Sequence, residues 1–287
     1  MNKVSVCESK FYHKDKSKIA RSFSLASRSY DSVAQLQRDV ADRLISLHSE
    51  YSGLWADLGC GTGYCTQEIF TRAKDLEPEN LHVLGLDIAQ GMLTLANEKN
   101  SSPFYQSIGA DIENLPLKNE SVNGLISSLS VQWSENLSQL FSEAYRTLTR
   151  GGLFLCSSLA PGTLRELDVS WKKADPSRVH VNNFQDPLEF LDHAEAQGFE
   201  LIDFIKETEI LAYTSVLSLM KELKALGAHN VNEGNPQGLT GKQTFKKVFS
   251  NYEQFRLKST MASASPSVDS YLPATYQVFY VLLKKRH

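Results

Sequence analysis

The chain has 287 residues, of which 41% are hydrophobic, and this length and composition predict a globular protein with a packed core. Its 30 basic and 33 acidic side chains give a net charge of −3, which argues against nucleic acid or an anionic membrane as a partner. We find no apolar run of membrane-spanning length, and the polar N-terminus lacks the apolar core of a secretory signal. We therefore expect a cytoplasmic protein, which we take to be a monomer.

The cysteines do not follow a metal-binding pattern. Their positions are 7, 60, 65 and 156, without a C-x-x-C pair and without a histidine at ligand spacing. We expect reduced thiols and no metal site.

The first 50 residues are expected to form an N-terminal tail and lid helices. Seven basic residues lie between Lys3 and Arg28, which predicts a solvated tail at the start of the chain. Residues 32–47 then carry apolar side chains at three- and four-residue spacing, which predicts a helix with one buried face.

Three glycines at alternate positions, Gly59, Gly61 and Gly63, follow an apolar run that ends at Leu58. The run predicts a buried parallel strand, and glycine both tolerates a positive φ and removes the Cβ that would hold a ligand away from the backbone. A helix is predicted at 64–72, and its free N-terminal amides can face a carboxylate. The pattern predicts a site for a nucleoside-bearing cofactor.

The spacing of the glycines indicates which cofactor binds. In the dinucleotide pattern Gly-x-Gly-x-x-Gly, the third glycine would fall at the bulky Tyr64. The observed Gly-x-Gly-x-Gly, preceded by the acid Asp57, instead resembles motif I of class I methyltransferases. A second apolar strand, at 81–86, ends in Asp87, where an acid can accept hydrogen bonds from both ribose hydroxyls. The alternative for a glycine triplet alone is an ordinary turn.

A third strand, at 104–108, is followed by Asp111 and Ile112. In methyltransferases of this class, an acid at this position accepts a hydrogen bond from the adenine amino group, and the next apolar residue covers the ring. Asp111 and Ile112 match these roles, although a solvated loop acid would look the same in isolation.

The remaining pattern alternates strands and helices. Strands are predicted at 122–129, 153–158, 199–210 and 274–283, and helices at 89–98, 136–148, 188–197, 214–226 and 242–251. We predict an α/β, Rossmann-like class I methyltransferase fold: a mostly parallel seven-stranded sheet with helices on both faces. The predicted units are a lid at 1–50, a cofactor-binding core at 51–212, a helical insertion that covers the substrate at 213–273 and the last core strand at 274–287.

From residue 19 onward, the chain resembles the malonyl-acyl carrier protein O-methyltransferases of the biotin pathway. The similar segments include FSLASRSY at 23–30, DIENLPL at 111–117, LSVQW at 129–133 and LKALGA at 223–228, the last with Glu233 and Gly234. The resemblance implies methyl transfer from S-adenosyl-L-methionine to the free carboxylate of a malonyl thioester, held by an acyl carrier protein or by coenzyme A. Two alternatives are a methyltransferase for another small molecule and a cofactor-binding assembly or interaction protein.

The resemblance also implies the site residues. We expect the substrate pocket to include Tyr30, Gln132 and Trp133, and no residue to act as a catalytic acid or base. The alternative for Tyr30 and Trp133 is a role as partly buried packing aromatics. The expected cofactor-binding residues are Arg38, Asp57, Gly59, Gly61, Gly63, Asp87, Ile88, Met92, Asp111 and Ile112. Basic residues on and beside the last inserted helix suggest a dock for an acidic carrier protein, with a solvated helix face as the alternative.

Overall fold

A computed structural model describes residues 15–73, 80–228, 241–258 and 270–286. These ranges leave out the start of the predicted tail, as well as Glu233 and Gly234. The described residues form one sheet of eight strands: β1 Gly53–Leu58, β2 Leu81–Asp87, β3 Tyr105–Gly109, β4 Val122–Ser128, β5 Leu148–Leu159, β6 Phe199–Tyr213, β7 Leu257–Lys258 and β8 Ser270–Lys285.

The order of the strands is β3-β2-β1-β4-β5-β8-β6, and the two-residue β7 pairs with β8. Strands β1 to β5 are parallel, whereas β8 runs antiparallel to both β5 and β6. Buried apolar side chains form two clusters, as expected for a sheet covered on both faces. The predicted fold is confirmed, and β7 is a short strand beyond the seven that were expected.

The described helices are α1 Lys16–Val33, α2 Gln35–Ile45, α3 Tyr64–Ala73, α4 Gln90–Lys99, α5 Leu137–Thr147, α6 Arg165–Ala174, α7 Pro187–Ala196, α8 Val216–Ala225 and α9 Lys242–Tyr252. Helix α5 illustrates why they form. The Asn136 side chain caps it by accepting the Gln139 amide at 3.0 Å, and Leu140 and Phe141 are fully buried. Burial of each such side chain stabilises the fold by about 1.5–3 kcal/mol. Among the described helices, none is both long and apolar enough to cross a membrane.

The prediction of a solvated tail is wrong for residues 16–28, because these residues belong to helix α1. Asp15 caps α1 by accepting the amides of Ser17 and Lys18, and the single helix predicted at 32–47 is divided at the buried Ala34. Helix α6 was not predicted.

Strand β5 begins at Leu148, five residues before its predicted start at 153. Val122 pairs with Leu148, and the next pair is Gly124 with Leu153. Strand β5 therefore has more residues between these two pairs than β4 has. The extra residues form a bulge, and Gly151 supplies its positive φ of 74°. Residues 148–152, which precede the predicted strand, therefore lie inside β5.

Candidate active site

The loop between β1 and α3 requires glycine for two different reasons. All three glycines have a positive φ: 70° at Gly59, 54° at Gly61 and 85° at Gly63. A Cβ on Gly59 would lie 1.8 Å from Ser130 Oγ, and one on Gly63 would lie 2.4 Å from Asn100 Nδ2. By contrast, no described atom lies within 4 Å of a Cβ built on Gly61. Gly59 and Gly63 therefore permit close packing, whereas Gly61 presents its backbone to open space.

Asp87 at the carboxyl end of β2 is tied to this loop. Its Oδ2 accepts the Gly61 amide at 2.9 Å, and its Oδ1 accepts the Ala89 amide at 2.7 Å. Burial raises the pKa of Asp87, while these backbone hydrogen bonds oppose the increase. The carboxylate thus fixes the loop and, together with Gly59 and Gly61, lines a cleft.

This first cleft brings together most of the predicted cofactor residues, and α1 closes one of its sides. The lining residues that were predicted for the cofactor are Gly59, Gly61, Asp87, Ile88, Met92, Asp111 and Ile112. Lys16, Ile19, Phe23 and Tyr30 contribute from α1. Of these four, only Tyr30 was predicted from the sequence.

The other predicted cofactor residues lie beside the first cleft. Asp57 is buried in β1 and accepts a hydrogen bond from Thr66 Oγ1 at 3.0 Å, and burial raises its pKa to about 7. Arg38 donates from Nη1 to the Asp31 carbonyl at 2.8 Å and from Nη2 to Gln35 Oε1 at 3.0 Å. Gly63 packs against α4. These three residues are therefore not part of the lining of the first cleft.

Lys16 is a functional candidate that the sequence analysis missed. Its Nζ lies 2.6 Å from Asp111 Oδ2 and 2.7 Å from Glu113 Oε2. Glu113 Oε1 in turn accepts the Ser134 hydroxyl at 2.8 Å and the Glu135 amide at 2.6 Å. Burial opposes ionisation of Glu113, but the hydrogen bonds from Lys16 and Ser134 and the nearby amides hold its pKa below the usual value.

The far end of α1 is also held in place. Asp31 Oδ1 accepts the hydroxyl of Thr62, in the glycine loop, at 2.7 Å, and Asp31 forms an ion pair with Lys99. A Cβ on Gly91 would lie 2.6 Å from the Ser24 carbonyl oxygen, so α1 packs directly on α4. Contacts at both ends therefore hold α1 across the first cleft.

A second, mainly apolar cleft of about 460 Å³ adjoins the first. Its basic lining side chains are His180 and Lys224, and Gln132 lies in the turn Val131–Trp133 after β4 and accepts the Leu159 amide at 3.3 Å. Four residues line both clefts: Phe23, Tyr30, Leu129 and Trp133. The rings of Phe23 and Trp133 meet edge to face, with 5.4 Å between their centroids. The two clefts thus share a junction where two ligands can meet.

The glycine loop, the acid after β2 and the order of the strands together define a class I methyltransferase fold. A family profile described as "Methyltransferase domain" matches residues 56–156. The structure superposes on the YcgJ protein of Bacillus subtilis with a TM-score of 0.56 at 13% identity, covering 86% of this chain and 98% of that one. The [4+2]-cyclase SpnF gives a TM-score of 0.51 at 16% identity, covering 87% of this chain and 80% of that one, so superposition alone supports the fold and not the reaction.

Sequence comparison defines the family more narrowly. The chain is 36% identical over 267 residues to the malonyl-[acyl-carrier protein] O-methyltransferase of Hahella chejuensis, covering 92% of this chain and 88% of the relative. It is 39% identical over 283 residues to the biotin biosynthesis bifunctional protein BioHC of Teredinibacter turnerae, covering 94% of this chain and 47% of the relative. The chain thus spans about half the length of that relative. It belongs to the malonyl-[acyl-carrier protein] O-methyltransferase family.

Proposed function

We propose that the chain transfers a methyl group from S-adenosylmethionine to the free carboxylate of a malonyl thioester. The observation that supports the proposal is the junction of the two clefts, because a methyl donor bound in the first cleft would lie beside an acyl group bound in the mainly apolar second cleft. The relatives named as malonyl-[acyl-carrier protein] O-methyltransferases support the substrate. The product, a methyl ester without the negative charge, suits enzymes that extend fatty acyl chains toward biotin.

We propose that the first cleft holds the methyl donor. We propose that Asp87 accepts the ribose hydroxyls, Asp111 accepts the adenine amino group, and the apolar side chains of Ile88, Met92 and Ile112 cover the nucleoside. The open space at Gly61 leaves room for the methionine end beside the loop amides. For Arg38, Asp57 and Gly63 we propose supporting roles around this site. When bound, the cofactor supplies an electrophilic methyl group on a positively charged sulfur.

The transfer requires alignment and no general base. A carboxylate oxygen forms a bond to the methyl carbon while the carbon–sulfur bond breaks and its electron pair remains on sulfur. The ionised carboxylate has no proton to lose, so the protein contributes by orienting it and excluding water. Alignment of two reactants can supply about 7–11 kcal/mol of a barrier. We propose that Tyr30, Gln132 and Trp133 line the pocket where the carboxylate meets the methyl group.

We propose that the insertion at 213–273 covers the substrate and provides a surface for its carrier. Residues of α8 and α9, including Met220 and Phe245, line the second cleft. Lys242, Lys246 and Lys247 are exposed on α9. Positive charge beside the cleft favours an acidic carrier protein, and coenzyme A is the other candidate carrier.

The direct test is incubation with malonyl-acyl carrier protein and S-adenosylmethionine labelled in the methyl group. We expect a labelled ester that mild base releases as methanol, and no label on acetyl-acyl carrier protein, which lacks the free carboxylate. A folded protein that binds S-adenosylhomocysteine but forms no ester would contradict the proposal and favour another small-molecule acceptor.

A genetic test separates the interaction-protein alternative. Deletion of the gene is expected to make growth dependent on biotin or on precursors at the pimelate level. A deletion strain that grows without biotin, together with a stable protein partner on purification, would favour the alternative.

A further inference from the structure

Two acceptor atoms in the second cleft lack partners. Gln37 Oε1 and Asn182 Oδ1 are buried from solvent, and neither has a hydrogen-bond partner among the residues that the structure describes. Both residues line the second cleft. Buried amide oxygens in proteins are nearly always paired, because an unpaired one costs free energy. If each side chain turns its oxygen to the cleft surface, a ligand that brings N–H donors into the cleft would remove this cost at both positions.

Ring stacking and hydrogen bonds hold the segment that carries Asn182. The ring of His180 stacks on Trp171, with 3.7 Å between the centroids and an angle of 10° between the planes. His180 Nε2 lies 3.1 Å from Asp175 Oδ2, and the Ser177 hydroxyl donates to Asp175 Oδ1 at 2.7 Å. These contacts hold the segment between α6 and α7 in place, and Asn182 of this segment lines the second cleft.

The malonyl group itself does not satisfy these atoms. Its carboxylate and its thioester carbonyl are hydrogen-bond acceptors, as Gln37 Oε1 and Asn182 Oδ1 are. The arm that carries the thioester has the complementary chemistry, since the pantetheine group of acyl carrier proteins and coenzyme A contains two secondary amides joined by methylene groups. Its methylene groups suit the apolar walls, among them Leu36 and Leu167. Each of its amides offers one N–H donor.

We propose that Gln37 and Asn182 accept hydrogen bonds from the two amide N–H groups of the pantetheine arm and so align the malonyl thioester with the methyl donor. The proposal rests on the function proposed above and adds the residues that recognise the arm. The arm enters along the second cleft and ends at the junction with the first. Lys224 is exposed and lines the same cleft, so it places a positive charge near the phosphate at the outer end of the arm.

The test uses malonyl thioesters of three thiols: pantetheine with two amides, N-acetylcysteamine with one and ethanethiol with none. We expect the wild-type kcat/KM for methyl ester formation to fall in that order. Gln37→Met and Asn182→Leu should each lower kcat/KM for the pantetheine thioester about threefold to tenfold, the usual effect of one neutral hydrogen bond. For the ethanethiol thioester, each variant should stay within about twofold of wild type.

Gln139→Met is the control, because Gln139 is exposed on α5 and lines neither of the two clefts. It should leave the preference for pantetheine unchanged. Unaltered binding of S-adenosylhomocysteine checks the fold of each variant, and either cleft variant alone is sufficient for the test.

The two proposals fail in different ways. If wild type methylates all three thioesters but the cleft variants keep the wild-type preference, or lose activity equally on all three, arm recognition is overturned and the proposed function stands. If wild type methylates none of them, nor malonyl-acyl carrier protein, the proposed function and this inference both fall.

Discussion

The ammonium group of Lys16 lies 2.6 Å from Oδ2 of Asp111, the carboxylate that we propose binds adenine. The other oxygen, Oδ1, accepts the Glu113 amide at 3.0 Å. A carboxylate oxygen has two lone pairs, so each oxygen of Asp111 still has capacity for a second donor. Lys16 and the adenine amino group can therefore share Asp111, and α1 then closes the adenine end of the first cleft.

Lys16→Met is expected to release the cofactor product faster. Partly exposed ion pairs contribute about 0.2–1 kcal/mol, so S-adenosylhomocysteine should dissociate up to about fivefold faster in stopped-flow measurements. The control is Lys18→Met, because Lys18 lies on the same helix but pairs with Asp15, outside the first cleft. An unchanged dissociation rate for Lys16→Met, or the same increase for both variants, would show that Lys16 does not close the site.

Asp87→Ala should bind S-adenosylhomocysteine at least tenfold more weakly, because a hydrogen bond to a charged group contributes about 1.5–3 kcal/mol. The control is Asp186→Ala. Asp186 also accepts a backbone amide, that of Leu188 at 2.8 Å, but it caps α7. Both variants should lose some stability, and Asp87→Ala should lose affinity in isothermal titration calorimetry. A folded Asp87→Ala protein with wild-type affinity would refute the ribose contact.

The buried Asp57 makes stability depend on pH. Unfolded, its carboxyl ionises near 3.8, whereas burial and the nearby charge of Asp87 raise the folded pKa to about 7. The folded state therefore binds the extra proton between these values, so the contribution of Asp57 to stability falls as the pH rises from about 4, and the loss is complete above about 7.

Asp57→Asn removes this ionisation and keeps the shape of the side chain. From about pH 5 to about pH 8, the unfolding free energy of the variant relative to wild type should rise by about 1–3 kcal/mol. Urea unfolding at several pH values measures the difference. Parallel pH profiles for the two proteins would mean that Asp57 ionises normally in the fold.

The features that could be predicted are those that depend on residues close together in the sequence. The strand before Gly59, the helix after Gly63 and the acid at the end of β2 are local patterns, and each lies where it was expected. The closure by α1 was not predictable in this way. Lys16 and Asp111 are 95 residues apart, and α1 is rich in serine and basic residues that read equally well as a solvated segment. Its docking depends on tertiary contacts.

The proposed carrier surface on α9 leads to a charge-reversal prediction. Lys246→Glu with Lys247→Glu should lower kcat/KM for malonyl-acyl carrier protein about tenfold and for malonyl-coenzyme A about threefold or less, because a protein carrier presents more acidic groups to the helix. The control is Lys118→Glu, an exposed lysine in the loop before β4. Equal losses with both carriers, or an equal loss in the control, would remove the proposed dock.

Tyr30 lines both clefts, and its aromatic ring is the part that we expect to matter. Burial and the nearby charge of Asp87 raise the pKa of its hydroxyl above the usual range, so the group stays protonated at physiological pH and does not act as a base. Tyr30→Phe should keep kcat within about threefold of wild type. Tyr30→Ala should lower kcat at least tenfold, because water enters the junction and the carboxylate loses its alignment.

The pH profile separates an aligning ring from an ionising group at Tyr30. Since the malonyl carboxylate is already ionised, kcat for wild type and for Tyr30→Phe should be nearly constant between about pH 6.5 and 8.5. A wild-type profile that rises across this range, and that Tyr30→Phe flattens, would instead assign proton transfer to the Tyr30 hydroxyl and contradict a mechanism of orientation alone.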